Sequence, residues 1–335
     1  MPPILSMTGS PLLSISDLTV KYRTRRNGTP PASVLHKVDL DVSHGEIVGV
    51  LGESGAGKST LAAAILRMLP VGAECTGSIR FQLQELQQID EARYRTIRGA
   101  QIARIVQEPG LCLNPVLRVG DQIAEVVRAH SQQDSKSRQE QCEAILHEVG
   151  FSNADRVYKA YPHQLSGGEL HRIAIAQALV CRPKLVVADE PTRSLDVAAQ
   201  GEILNLLRAT HRKSGSALIF ITHNPALLAG FADRVVIMYA GRVVEDGLVS
   251  QVFRRPFHPY TKGLLKLFPS SARSADRSKA ERLPAIPGTL AEADHFLPGC
   301  IFEPRCSART AVCRTDSPVA EMQQERRVSC FHHGE

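Results

Sequence analysis

Hydrophobic positions along this chain follow three different rhythms. Leu13, Ile15, Leu18 and Val20 alternate or nearly alternate with polar residues, and Val38, Leu40 and Val42 do so strictly. A period of two marks strands with one buried face, as in an antiparallel sheet. Five short runs are instead almost wholly apolar, at 47–51, 102–106 (interrupted by Arg104), 185–188, 218–221 and 235–238. Strands of that kind are covered on both faces, which predicts a parallel sheet with helices on each side. The stretch 235–244, turning at Ala240-Gly241, predicts a hairpin. The third rhythm is helical. Ile123, Val126 and Val127 share one face, as do Ile145, Leu146 and Val149, with the polar stretch 131–141 between them. This predicts a small helical subdomain inserted into the sheet domain, while residues 58–69 form a helix that Pro70 stops.

Between these segments, residues 23–31 are polar with one Gly and two prolines and read as a loop. After Gly247 the character changes. Residues 270–282, rich in Ser, Ala and charge, read as a linker or exposed helix, and 283–335, rich in Pro and Cys, as a separate tail. No internal repeat is evident.

Composition narrows the function classes. A chain of 335 residues suits one large core plus a smaller appendage. Aromatics are only 5% and Trp is absent, which argues against a base-stacking nucleic-acid surface. The net charge of +6, from 40 basic and 34 acidic residues, fits a mixed solvated surface or contact with phosphates or anionic headgroups. No apolar run reaches the roughly 20 residues that cross a bilayer. The first twelve residues lack a basic start and a long apolar core, so no signal peptide is expected. A cytoplasmic location is the expectation, and any work at a membrane would run through partners.

The sharpest motif is Gly52-Glu53-Ser54-Gly55-Ala56-Gly57-Lys58-Ser59, a P-loop pattern without mismatch, between an apolar strand and a helix. Glycines let successive N–H groups turn inward on phosphate oxygens, and the helix adds the positive end of its dipole. Lys58 is expected on the β- and γ-phosphates of a nucleotide and Ser59 on Mg²⁺. A second signal is Leu185-Val186-Val187-Ala188-Asp189-Glu190, an apolar strand ending in two acids. Ligands of open α/β sheets sit beyond the carboxyl ends of strands. Asp189 is therefore expected at the metal and Glu190 as the base that polarises the attacking water. His223, after the run at 218–221, is expected to orient that water at the γ-phosphate, and Gln107, after 102–106, to reach the metal or the water.

Leu165-Ser166-Gly167-Gly168-Glu169 completes a set that resembles the nucleotide-binding subunit of ABC transporters. The order agrees: P-loop, Gln107, signature, Asp189-Glu190, Ser194-Leu195-Asp196, His223. The resemblance implies an α/β P-loop NTPase (RecA-like) core with an antiparallel β subdomain, a helical ABC-specific subdomain at about 110–180 and a small Cys/Pro-rich C-terminal module. The expected boundaries are 10–250 for the ATPase domain and 251–335 for the module. It further implies that Tyr22 stacks on adenine, and that Ser166, Gly167 and Gly168, at a helix N-terminus, face ATP across a second subunit. Thr60 and Asp196 join the nucleotide-binding set. Gln107-Glu108-Pro109, Leu113-Asn114-Pro115, His258-Pro259-Tyr260-Thr261 and Ile286-Pro287-Gly288 look like the oligopeptide/dipeptide/nickel importer branch. Leu170-His171 and Arg193 depart from the family pattern beside the signature and before Ser194, and the stretch after Gly288 lacks the usual proline-rich run.

The implied function is an ATP-hydrolysing subunit that powers import of peptides or a related solute. Its implied partners are a second ATPase subunit (paralogue or self), two transmembrane permease subunits and, indirectly, an extracytoplasmic solute-binding protein, at the cytoplasmic face of the inner membrane. The alternative is a soluble ABC ATPase acting on nucleic acid or ribosomes, which usually carries long coiled-coil insertions or two ATPase halves. A P-loop kinase or GTPase would lack the signature.

The tail carries four of the eight cysteines, Cys300, Cys306, Cys313 and Cys330, spaced C-x5-C-x6-C-x16-C. Four thiolates suit an iron–sulfur cluster or a tetrahedral zinc, and the lack of a CxxC pair weakens a zinc ribbon. Unligated thiols bracing a Pro-rich module are the other reading. The resemblance favours a [4Fe–4S] cluster.

Overall fold

The computed structural model describes residues 10–23, 32–268, 285–289 and 298–332. Residues 24–31 of the expected loop at 23–31, the linker at 270–282 and the first nine residues lie outside the described residues.

The strands with period two form as expected. β1 (Leu13–Tyr22) and β2 (Ala32–Val42) bury Leu13, Ile15, Leu18, Val20, Leu35, Val38, Leu40 and Val42 on one face. β3 (Ile47–Leu51) is buried at every position and leads through the glycine loop into α1 (Lys58–Ile65). This helix ends before Pro70 is reached. Arg67 takes φ 48°, and the N–H groups of Arg67 and Met68 return to the carbonyls of Ala64 and Ala63 at 3.1 and 2.8 Å. That is a Schellman turn, with Arg67 in the left-handed position usually given to glycine.

β4 (Glu74–Phe81) and the short β5 (Gln84–Glu85) follow, then α2 (Glu91–Ile97), β6 (Ile102–Ile105) and α3 (Pro109–Cys112). Three helices make the predicted helical stretch: α4 (Val119–His130), α5 (Ser135–Glu148) and α6 (Ala154–Lys159). The polar stretch 131–141 is not all linker, because α5 already starts at Ser135. The Asp134 carboxylate accepts from the Ser137 N–H at 2.8 Å and caps the helix. Its first turns stay polar because only Cys142, Ile145 and Leu146, further along, are buried.

The chain continues with α7 (Gly167–Leu179), β7 (Leu185–Asp189), α8 (Val197–Ser214) and β8 (Ala217–Thr222). Beyond these come β9 (Arg234–Tyr239), β10 (Arg242–Leu248), α9 (Val249–Arg254) and α10 (Pro259–Lys266). The tail adds α11 (Val312–Thr315), β11 (Glu321–Gln323) and β12 (Arg326–Val328).

These elements form two compact units, one from 1–41, 47–84 and 222–335 and the other from 42–46 and 85–221. In the first unit, β1 pairs antiparallel with β4, Leu13 opposite Phe81, and β3 runs parallel to β9, Val50 opposite Val236. β9 and β10 form the predicted hairpin, with Ala240 and Gly241 at φ 41° and 77°, as a tight two-residue turn requires. β12 then pairs antiparallel with β10, Glu245 opposite Val328, so residues of the tail extend the same sheet. In the second unit β6, β7 and β8 are parallel neighbours, with Leu185 opposite both Ile102 and Ala217. Strands buried on both faces have thus become parallel strands, as their mostly apolar runs predict. Among the described residues no helix is long and apolar enough to cross a membrane.

Candidate nucleotide site

In the first unit the loop after β3 has the geometry of an anion cradle. Gly57 opens α1 at φ 96°, and a Cβ there would come within 2.7 Å of the Leu35 side chain and 3.1 Å of the Val34 carbonyl, so only glycine fits. The loop closes on itself where the Ala56 N–H donates to the Glu53 carbonyl at 3.2 Å. Lys58 is 6% exposed, and its ammonium donates to the carbonyls of Gly52 and Glu53 at 2.8 and 2.9 Å. The positive charge is thereby held within the loop at the N-terminus of α1. Ser54, Gly55 and Ser59 are exposed, with Ser59 in the first turn of the helix. Tyr22, at the end of β1, donates its hydroxyl to Thr60 at 3.2 Å, which fixes the ring beside that first turn. His223, exposed, directly follows the last residue of β8.

In the second unit Asp189 ends β7 at 2% exposure, with the Arg104 guanidinium 3.7 Å away. Glu190 follows at φ 45°, a left-handed backbone held by its N–H to the Ile221 carbonyl at 3.0 Å. That turn is a costly conformation for a side chain with a Cβ, and such residues cluster at functional sites. Gln107 donates to the Glu190 carboxylate at 3.2 Å, so the structure brings these two expected residues together. Arg193, a departure from the family pattern, lies 3.5 Å from the same carboxylate.

The signature also has a defined geometry. Ser166 caps α7, and Glu169 reaches back to the Ser166 N–H at 2.8 Å, a capping box. Hydrogen bonds from the Ser166 backbone and hydroxyl hold the Glu169 carboxyl below its usual value. Gly167 and Gly168 form the first turn, and no atom stands within 4 Å of a Cβ built on either, which leaves their backbone open to close approach. His171, the other departure, is buried and bonds the Gly167 carbonyl at 2.8 Å through Nδ1. Asp196 caps α8, accepting from the Ala199 N–H at 3.0 Å.

Comparison with known proteins settles the family. The ABC transporter family matches residues 35–193, and the oligopeptide/dipeptide transporter C-terminal region matches 244–313. A putative peptide import ATP-binding protein of Brucella ovis is 41% identical over 98% of this chain and 97% of its own length. This chain belongs to the ABC transporter family. The dipeptide transport ATP-binding protein DppD of Escherichia coli K12 is 38% identical, covering 96% of each chain. The oligopeptide transport ATP-binding protein AppD of Bacillus subtilis is 38% identical, covering 97% of this chain and 98% of its own. A dimeric ATP-binding cassette solved with ADP and Pi shares the fold at TM-score 0.62 and 24% identity, covering 71% of this ABC chain and 98% of that one. The α/β P-loop NTPase fold expected from the motifs is the fold observed.

The expected metal site in the tail is not supported by the geometry. Among the described residues no group of three or more His, Cys, Asp or Glu side chains is disposed to hold a metal ion. None of the four tail thiols is in a disulfide among the described residues. Cys313 lies 3.6 Å from the Thr310 hydroxyl, and Cys330 accepts from the His332 N–H at 3.4 Å. Burial, and then the neighbouring Cys313, Cys330 and Cys306, push the Cys300 thiol up to about 11.

Sequence reasoning missed Arg104, Tyr260 and Arg305. Tyr260 accepts a hydrogen bond from the Glu53 N–H at 2.9 Å, and Arg305 pairs with the Glu53 carboxylate at 2.7 Å. Nothing in the spacing of the tail points back to the P-loop. Tyr260 falls inside His258-Pro259-Tyr260-Thr261 and Arg305 inside Gly299-Cys300-Ile301-Phe302-Glu303-Pro304-Arg305-Cys306, both of which resemble the importer branch, and that was the one available signal.

Proposed function

We propose that this chain is the ATP-hydrolysing subunit of a peptide importer, working with transmembrane permease subunits and a second ATPase subunit at the inner face of the membrane. The observation that carries this reading is the near full-length similarity to proteins named for peptide, dipeptide and oligopeptide import. The same names favour an importer over an ATPase acting on nucleic acid or ribosomes.

The residues divide the work of in-line attack of water on the γ-phosphate of ATP. The amides of 53–59 and the Lys58 ammonium bind phosphate oxygens, placed by the loop geometry and the α1 N-terminus. Tyr22 stacks on the adenine. Glu190 takes the proton from the attacking water, oriented by Gln107 and His223. Ser166, Gly167 and Gly168 offer the amides of the α7 N-terminus to the nucleotide of a partner subunit, and Asp196 sits in the same subunit contact. The Ser59 hydroxyl, the Gln107 amide oxygen and the Asp189 carboxylate are oxygen donors of the kind magnesium takes. Magnesium, when bound, neutralises charge that develops on the phosphates.

The test is uptake. Proteoliposomes holding the assembled transporter and its solute-binding protein are expected to accumulate a labelled di- or oligopeptide only with ATP. Accumulation independent of this subunit, or ATP hydrolysis indifferent to peptides and their binding protein, would overturn the reading.

A further inference from the structure

The P-loop contains one anionic side chain, Glu53, in the turn that binds phosphates. A carboxylate there repels a triphosphate unless something neutralises it, since charges a few ångströms apart interact by several kcal/mol near a protein surface. The structure supplies that partner from the tail. Arg305 makes a two-point pair with Glu53, Nη1 to Oε2 at 2.7 Å and Nη2 to Oε1 at 3.1 Å, across 252 residues of sequence.

The pair is built with care on both sides. The Arg305 side chain is only 7% exposed. Its Nε donates to the Pro287 carbonyl at 2.8 Å and Nη1 to the Tyr239 hydroxyl at 3.4 Å. Burial works against the guanidinium charge, but its hydrogen bonds to Glu53 and Tyr239, with their charges, outweigh it and raise the Arg305 pKa. Glu53 is gripped at three points: carboxylate by Arg305, N–H by Tyr260, carbonyl by Lys58. An aromatic cluster holds the clamp. Tyr239 and Tyr260 stand 4.7 Å apart between ring centres, and Phe302 of the tail lies 5.1 Å from Tyr239 and 5.5 Å from Tyr260.

We propose that Arg305 is a positioning residue of the nucleotide site: it neutralises and orients Glu53, so that ATP affinity depends on the C-terminal module. This rests on the reading of 52–59 as the phosphate cradle. Arg305 touches Glu53 and not the reacting atoms, so its loss acts on binding rather than on the chemical step. A bidentate pair also carries more than a simple bolt between segments, because it removes a charge as well as fixing a position.

The experiment is titration of the purified full chain with a fluorescent ATP analogue and magnesium. Arg305→Gln keeps much of the side-chain volume but unmasks Glu53, and is expected to weaken binding about tenfold. Adding Glu53→Gln to that variant removes the unmasked charge and is expected to restore affinity to within about threefold of the natural chain. A merely structural Arg305 predicts no such rescue. Unchanged affinity in Arg305→Gln, or a double variant as weak as the single, overturns the proposal. Should Arg305→Gln fail to fold, Arg305→Lys keeps the charge but loses the two-point pairing; it is expected to bind about threefold more weakly, and a loss of about tenfold or more there, with the charge kept, overturns it. Lys58→Ala separates the two levels. Full affinity in Lys58→Ala sinks the cradle reading itself, whereas loss there beside unchanged affinity in Arg305→Gln sinks only the role of Arg305.

Discussion

The glycine loop at 52–59 and the Cys-rich tail meet at one carboxylate, Glu53, yet they encode their structure in opposite ways. The loop works through its own backbone. Gly57 adopts a conformation other residues resist, and Lys58 folds onto carbonyls five and six residues earlier. The tail works through side chains that find partners far away: Arg305 on Glu53, Arg326 close to Glu245, Phe302 between two tyrosines. Local backbone chemistry is written in consecutive residues and can be read there. A long-range pair leaves no trace in the spacing of either partner.

If the loop is self-sufficient, its own lysine should dominate. Lys58→Ala is expected to lower steady-state ATP hydrolysis by about 100-fold or more, the scale of removing a charged group from a phosphoryl-transfer site. Phosphate release within threefold of the natural chain would break the comparison at its stronger side.

The tail side is sharpened by acid. His258 is 1% exposed, and its Nδ1 accepts from the Tyr260 N–H at 3.0 Å, which the protonated ring cannot do. Burial, with Lys262 adding to it, pushes His258 from 6.5 to about 3. The folded pKa lies below the unfolded one, so between these values the unfolded chain binds a proton that the fold refuses. The contribution is fully present above about pH 6.5 and falls by about 1.4 kcal/mol per pH unit below it. Denaturant melts at pH 7 and pH 5.5 should show that slope, and His258→Asn, which can still cap the helix, should flatten it. Equal slopes in the two chains would remove His258 from the account.

The smallest effect is expected at the signature. Ser166→Ala deletes the cap of α7 and is expected to cost about 1 kcal/mol in thermal unfolding. It should also reduce hydrolysis in the assembled transporter more than nucleotide binding by the isolated chain. An equal loss in both assays would mean that Ser166 serves its own chain alone.

The two kinds of encoding also explain what the sequence made legible. Strand β7 and its terminal Asp189-Glu190 were readable because five buried positions in a row admit few other structures. The hairpin at Ala240-Gly241 was readable from its turn residues. The early end of α1 was not, since the Schellman turn uses Arg67 where the pattern would call for glycine. The start of α5 was missed because its first turns face water and show no apolar stripe. The cysteine spacing suggested four metal ligands, but spacing constrains neither which way a thiol points nor what lies beside it. The four thiols do lie near one another, and Thr310 and the His332 backbone also bond Cys313 and Cys330. Gln107 and Glu190 were each readable as the residue following an apolar strand, although their hydrogen bond was not.

ATP turnover by Glu190→Gln decides more than any other single measurement, because Glu190 is the residue assigned to the bond-breaking step. With the partner subunits present, the variant is expected to retain bound ATP while phosphate release falls by about 100-fold or more. Phosphate released at the natural rate by that variant would contradict the account at its centre.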